Sequence, residues 1–124
     1  MTDDRIAIAT RFLQLAAGGE AVSKAAALTT GTFRHHNVHF ASDGSALFEA
    51  MDANAREFPG KRIEVKQAIA DGDRVATLCK VAHTPGEAGY IVCHWFRFEG
   101  DRIAELWDLA QEIPRASPNA LGPF

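Results

Sequence analysis

The chain has 124 residues, enough for one domain with one hydrophobic core and no second domain. Apolar residues make up 47% of the chain and charged residues 23%, which is ordinary for a globular protein in water. Its formal charge of −3 and its pI near 5.9 argue against nucleic acid and anionic membranes as partners, because both attract basic surfaces.

Targeting and membrane-spanning segments are not predicted. The longest apolar runs are far shorter than the roughly 20 residues of a membrane span. The N-terminus, Met1–Asp4, is acidic where a secretory signal would be basic, so we expect a cytoplasmic protein. Cys79 and Cys93 lie in predicted strands and, without an export signal, are expected to be free, buried thiols.

The first half of the chain predicts three helices and one short strand. Asp3–Ala17 places apolar residues on one broad face and is followed by two glycines, which is typical of an amphipathic helix. A shorter helix is predicted over Glu20–Leu28. Thr32–Phe40 is β-prone but crowded with histidines, and a third helix is predicted from the cap at Ser42–Ser45 to the break at Pro59-Gly60.

After this break the apolar period changes from 3.6 to 2, which predicts strands. Four antiparallel strands joined by glycine-containing turns are predicted; they cover Ile63–Ile69, Val75–Val81, Tyr90–Glu99 and Arg102–Gln111. Residues 113–124 are rich in Pro, Ser, Asn and Gly and are expected to form a C-terminal tail. Helices that precede a meander predict an α+β domain over residues 1–124, with three helices covering a curved antiparallel sheet.

Asp108 is the polar residue that fits its surroundings least. Its same-face neighbours on the last strand, Leu106 and Ala110, are apolar, so its side chain is expected to point into the interior. An enclosed carboxylate without a partner is unfavourable, and desolvation moves carboxylates toward the range of general acids and bases. The alternative is a structural role, in which Asp108 accepts from a backbone amide or from Arg97.

Whether His94 shares a face with Asp108 depends on the turn at Gly100-Asp101. A two-residue loop with unbroken pairing would place His94 opposite Trp107 and Asp108 on the other face. A three-residue loop, or one bulge in either strand, would reverse this arrangement. The residues alone leave two alternatives, a buried core histidine and a catalytic one.

Three histidines close together, His35, His36 and His39, raise the question of a metal. On a strand His36 faces away from the other two, and no zinc motif such as H-E-x-x-H is present, so no metal is predicted. His36 and Asn37 are instead candidate donors that line a pocket, with solvent exposure as the alternative. Nucleotide-phosphate, Rossmann and serine-nucleophile motifs are also absent from the sequence.

The segment His94–Asp108 resembles the closing hairpin of SnoaL-like polyketide cyclases, a family within the nuclear transport factor 2-like superfamily. That hairpin carries an acidic residue or histidine, a hydrophobe-Phe-Arg, a glycine-containing turn and Glu-His-Trp-Asp. Phe33–Asn37 resembles the family's Tyr-x-Gln-His-Asn, and the likeness extends over nearly the whole chain. Two departures are Leu106, where the family has histidine, and His35, where it has glutamine.

The resemblance implies a cone-shaped pocket in a nuclear transport factor 2-like, cystatin-like roll, usually in a homodimer and without a cofactor. In the polyketide cyclases an aspartate at the position of Asp108 is the general acid/base of an intramolecular aldol closure, and a histidine matching His94 lies beside it. The positions implied for substrate binding are His36, His35, Asn37 and Trp107. The expected ligand is a small hydrophobic molecule with a carbonyl group.

Two functions of different classes are consistent with these residues. The first is cofactor-free acid/base catalysis next to a carbonyl, in an aldol cyclisation, an isomerisation or a related lyase step. The second is a non-catalytic ligand-binding or dimerisation module of the same fold, which Leu106 and the lack of a second pocket carboxylate favour. An epoxide-hydrolase-like site would require an Asp-Arg-Asp set, and only Arg97 and Asp108 are available.

A homodimer packed sheet to sheet is also expected. The outer sheet face is predicted to be more apolar than the surface of a monomer normally is. One alternating set of strand residues should point outward; the residues considered for it are Val75, Thr77, Val81, Trp95 and Ile103.

Overall fold

Two α-helices precede four long strands, whereas the sequence predicts three helices before the strands. A computed structural model describes residues 2–124, and Met1 lies outside the described residues. The elements are α1 (Thr2–Ala17), a single 3-10 turn (Ala25–Leu28), β1 (Thr29–His35), α2 (Gly44–Glu57), β2 (Arg62–Asp71), β3 (Arg74–Ala82), β4 (Tyr90–Glu99) and β5 (Arg102–Glu112). Residues 113–124 contain no helix or strand. Over residues 2–124, no helix combines the length and apolarity needed to cross a membrane.

The predicted helix over Glu20–Leu28 is wrong, because this segment forms turns followed by the single 3-10 turn. The backbone amides of Ala21 and Val22 donate to the Asp52 carboxylate of α2, at 2.8 and 3.1 Å. A nine-residue segment gains little from helix formation alone, so such tertiary bonds determine its conformation.

The sheet is mixed rather than wholly antiparallel. Its strand order is β1-β5-β4-β3-β2, and the edge strand β1 runs parallel to β5 while all other neighbours are antiparallel. Two single-residue bulges, at Lys66 in β2 and at Ala104 in β5, interrupt the pairing. Bulges bend a strand and increase its twist, so they help to curve the sheet around the helices.

Aromatic rings fill one end of the space between the sheet and the helices. Phe12 of α1 is fully buried against the rings of Phe33, Phe48 and Phe96, with centroids 6.1 to 6.5 Å away. Along the inner face of β4 the phenylalanines Phe98 and Phe96 are then followed by His94, Val92 and Tyr90, which line a cavity. The aromatic core therefore closes one end of the fold and leaves space at the other.

The residues on the outer face of the sheet differ from the set that the sequence predicted. Val75, Thr77 and Ile103 are buried in the core, and Val81 lines a cavity on the inner face, so of the five residues only Trp95 lies on the outer face. Trp95 is 48% exposed; two further outer side chains, more exposed still, are Ile69 at 70% and Leu109 at 75%. The register of β3 against β4 explains this assignment, because Trp95 pairs with Ala76 and therefore lies on the opposite face from Val75, Thr77 and Val81.

Candidate active site

A bulge in the closing hairpin places His94 and Asp108 on one face of the sheet. The loop has two residues, since Glu99 pairs with Arg102 around Gly100-Asp101, and unbroken pairing would put His94 opposite Trp107. The pairing shifts by one residue at Ala104, so His94 lies directly opposite Asp108 instead. Directly opposed residues of antiparallel strands point to the same side of the sheet.

His94 and Asp108 both line a partly open cavity of about 360 Å³, at the small end of the range for ligand pockets. The inner faces of β3, β4 and β5 form its floor, and α2 covers it. The lining is mostly apolar; these side chains include Leu47, Met51, Val81, Val92 and Ala110. The polar residues among them are few and convergent, as in a site that orients a small hydrophobic molecule.

The imidazole of His94 is held in its neutral form. Its side chain is 8% exposed, and desolvation lowers its pKa from 6.5 to about 4, against the opposing effect of the Asp108 charge and with a smaller lowering effect from Lys61. Its Nδ1 is buried and has no hydrogen-bond partner among the described residues. A buried polar atom without a partner is uncommon in native proteins and often marks a functional position.

Asn37 is the hydrogen-bond partner of Asp108. Its side-chain amide donates to Asp108 Oδ2 at 3.2 Å, and its Oδ1 accepts from the His39 backbone amide at 3.0 Å. The position of Asn37 is set by His35, whose Nδ1 accepts from the Asn37 backbone amide at 3.1 Å. His35 Nε2 therefore carries the ring proton and donates to the Ala41 carbonyl at 2.5 Å. Buried His35 thus positions the loop rather than lining the cavity, contrary to the expectation for it.

The placement of His36 and Trp107 in the pocket is wrong, because both lie on the outer face. The His36 ring stacks on Trp107, with centroids 4.7 Å apart and planes at 4°, and its Nε2 lies 2.6 Å from Glu105. Glu105 and Trp107 alternate along β5 with the inward-facing Leu106 and Asp108, which explains their direction. His35 is buried and His36 exposed, so the alternation of β1 continues through His36 and directs its ring away from the cavity.

Arg97 does not hold Asp108, so that structural alternative is excluded. Its guanidinium bonds to Glu99 and Glu105 on the outer face, each at 3.0 Å. These carboxylates raise the pKa of Arg97 through their hydrogen bonds. The partner of Asp108 is the neutral amide of Asn37, which leaves its charge without a cation in hydrogen-bond contact among the described residues.

Four polar residues of the cavity were not predicted as site residues; they are Lys61, Asn54, His83 and Tyr90. Lys61 donates to Asn54 Oδ1 at 2.7 Å, and the His83 ring lies between those of Phe58 and Tyr90, with centroids 4.6 and 5.6 Å away. A lysine directly after Pro59-Gly60 and before a strand has the sequence context of an exposed residue. No local pattern signals its inward position.

In the part of the chain that the structure describes, no three His, Cys, Asp or Glu side chains converge in a way that could hold a metal ion. The cysteines are both free, as predicted, and burial raises the pKa of the Cys79 thiol. Cys79 is buried in the core while Cys93 is half-buried, so only the first fully matches the expectation.

The fold and its lined cavity define the nuclear transport factor 2-like, or cystatin-like, class of α+β proteins. The chain belongs to the SnoaL-like domain family, whose model matches residues 9–106. No curated protein matches the sequence.

Solved structures with the same fold share little sequence with this chain. A proposed hydroxylase, AclR, from Streptomyces galilaeus is 20% identical with a TM-score of 0.74, over 90% of this chain and 91% of that one. A proposed polyketide cyclase from Bacillus cereus is 17% identical with a TM-score of 0.73, over 86% and 74%. A proposed ketosteroid isomerase from Kribbella flavida is 18% identical with a TM-score of 0.69, over 95% and 85%. At these identities the similarity establishes the fold.

Proposed function

We propose that this protein is a cofactor-independent enzyme that transfers a proton next to the carbonyl group of a small hydrophobic substrate. The reaction class is aldol cyclisation, isomerisation or a related lyase step. The observation that carries this proposal is the Ala104 bulge, which brings Asp108 opposite His94 inside an apolar cavity. The names of the structural relatives, polyketide cyclase and ketosteroid isomerase, support the same reaction class.

In this proposal Asp108 is the base. Its carboxylate removes the proton from the carbon beside the carbonyl and returns it to the product, and the largely apolar lining around it favours such a role. His94 is neutral near pH 7, so it acts as a hydrogen-bond donor to the enolate oxygen rather than as a cation. Asn37 keeps the Asp108 carboxylate in place through its amide.

Proton exchange tests this proposal without knowledge of the natural substrate. We expect the protein to accelerate deuterium incorporation beside the carbonyl of at least one compound in a panel of small cyclic and aromatic ketones. Incubation in deuterium oxide followed by NMR measures the rate above that of buffer. His36→Gln, a change on the outer face, should exchange like the wild type.

The alternative is a binding module in which Asp108 has only a structural role, a possibility that its bond to Asn37 favours. In that case ketones that bind in the cavity would show no exchange above the buffer rate. Binding without exchange across the whole panel would therefore contradict the enzymatic proposal and favour the module.

We also propose a homodimer that buries the outer sheet face. The exposed Trp95, Ile69 and Leu109 provide the apolar surface. Light scattering should give about twice the chain mass of 13.5 kDa, and Leu109→Lys should shift the mass toward that of one chain. A concentration-independent mass of one chain for the wild type would contradict this assembly.

A further inference from the structure

Lys61 is a charged residue of the cavity that the proposed proton transfer does not use. It is the only lysine or arginine among the described lining residues, and its side chain is half-buried between α2 and β2. Its ammonium donates to Asn54 Oδ1 at 2.7 Å. No carboxylate of the described residues lies within salt-bridge distance of it, whereas the surface residue Lys66 pairs with Glu64 at 2.9 Å.

A partly desolvated ammonium without a counter-ion is unfavourable, and a bound anion would relieve that cost. Desolvation lowers the pKa of Lys61, in agreement with its half-buried position. An ammonium has three hydrogen-bond donors, and Asn54 accepts one of them, so two are available to a ligand. His94 is neutral near pH 7 and adds no positive charge, so Lys61 is the cationic group that the cavity presents to a bound anion.

We infer that Lys61 binds a carboxylate group of the substrate, so that the substrate class is a small hydrophobic oxo acid rather than a neutral ketone. This inference rests on the proposed function, because it names the substrate of the same cavity. The negative charge of Asp108 repels a carboxylate placed beside it. The substrate therefore lies with its carboxylate at Lys61 and with the carbon that loses a proton at Asp108.

Matched probes test the charge preference at equilibrium. We expect 2-naphthoate to bind about 10- to 100-fold more tightly than 2-naphthamide, since hydrogen bonds to charged groups are the stronger ones. Calorimetric or NMR titration at low ionic strength measures both affinities. Lys61→Met should remove the preference, and Lys61→Arg should keep part of it.

Lys66→Met is the matched control, because it removes an exposed lysine outside the cavity and should keep the full preference. Thermal melting of each variant establishes that it is folded. Equal affinity of the wild type for the two probes, or an undiminished preference in Lys61→Met, would overturn the inference. The same holds if Lys61→Met slows exchange of a neutral ketone but leaves carboxylate binding unchanged, because Lys61 would then serve only the transient enolate.

Asp108→Asn separates this inference from the proposed function. It should keep or strengthen the preference for 2-naphthoate, since it removes a negative charge from the cavity, while it strongly slows exchange. A carboxylate preference without exchange in the wild type would support a binding module for carboxylates and contradict only the enzymatic proposal. Exchange without a carboxylate preference would contradict only the role of Lys61.

Discussion

Asp108→Asn is expected to reduce the rate of proton exchange by about 10²- to 10⁴-fold, the usual contribution of a positioned acid/base group. Asparagine keeps the shape of the side chain and removes the group that takes the proton. Its amide can still meet Asn37, so the loop that covers the cavity should stay in place. The rate is measured on whichever ketone the wild type exchanges, with circular dichroism to establish the fold.

Asp101→Asn is the control for this prediction. It makes the same chemical change at an exposed position in the turn between β4 and β5, and it should leave the rate unchanged. If Asp108→Asn retained the wild-type rate, Asp108 would not be the base. A loss of rate in both variants would indicate a general effect on the hairpin rather than a catalytic role.

Stability is expected to fall in acid because of His94. Its pKa is 6.5 in the unfolded chain and about 4 in the folded one, so between these values the unfolded state binds a proton that the folded state does not. The contribution of neutral His94 to the free energy of unfolding is therefore complete above pH 6.5, and it is lost as the pH falls toward 4. The His94 contribution to this decrease is about 3 kcal/mol.

Urea unfolding from pH 7 to pH 4 measures this effect as a difference between variants. His94→Gln should lose less stability over this range than the wild type, whereas His39→Gln, at an exposed position, should match the wild type. The comparison is needed because carboxyl groups with lowered pKa values, such as Asp43 and Glu105, also contribute to acid unfolding. Equal losses in His94→Gln and the wild type would contradict the neutral, buried state of His94.

Other charged groups at the cavity modulate the same effect. The Asp108 charge raises the pKa of His94 and the Lys61 charge lowers it. Asp108→Asn should therefore steepen the acid loss of stability, and Lys61→Met should reduce it. The aromatic and imidazole groups of Tyr90 and His83 line the same cavity and are unchanged in both variants.

Local features of the chain were sufficient to predict most of the elements. The spacing of apolar residues predicted α1, α2 and the four-strand meander, since each element buries one face and leaves the other in water. The cap at Asp43 accepts from the Ala46 amide as its position suggested. The apolar neighbours of Asp108 likewise indicated its inward direction, because alternation along one strand is a local property.

The facing of His94 could not be predicted, because it depends on a single unpaired residue. A bulge at Ala104 changes no local propensity, but it shifts every later β5 residue by one position against β4. Asp108 therefore takes the place opposite His94 that Trp107 would otherwise have. The inward position of Lys61 and the outward position of His36 depend on where α2 and the segment after β1 pack against the sheet. These positions result from contacts between residues far apart in the chain, so the tertiary structure alone determines which polar groups share the cavity with Asp108.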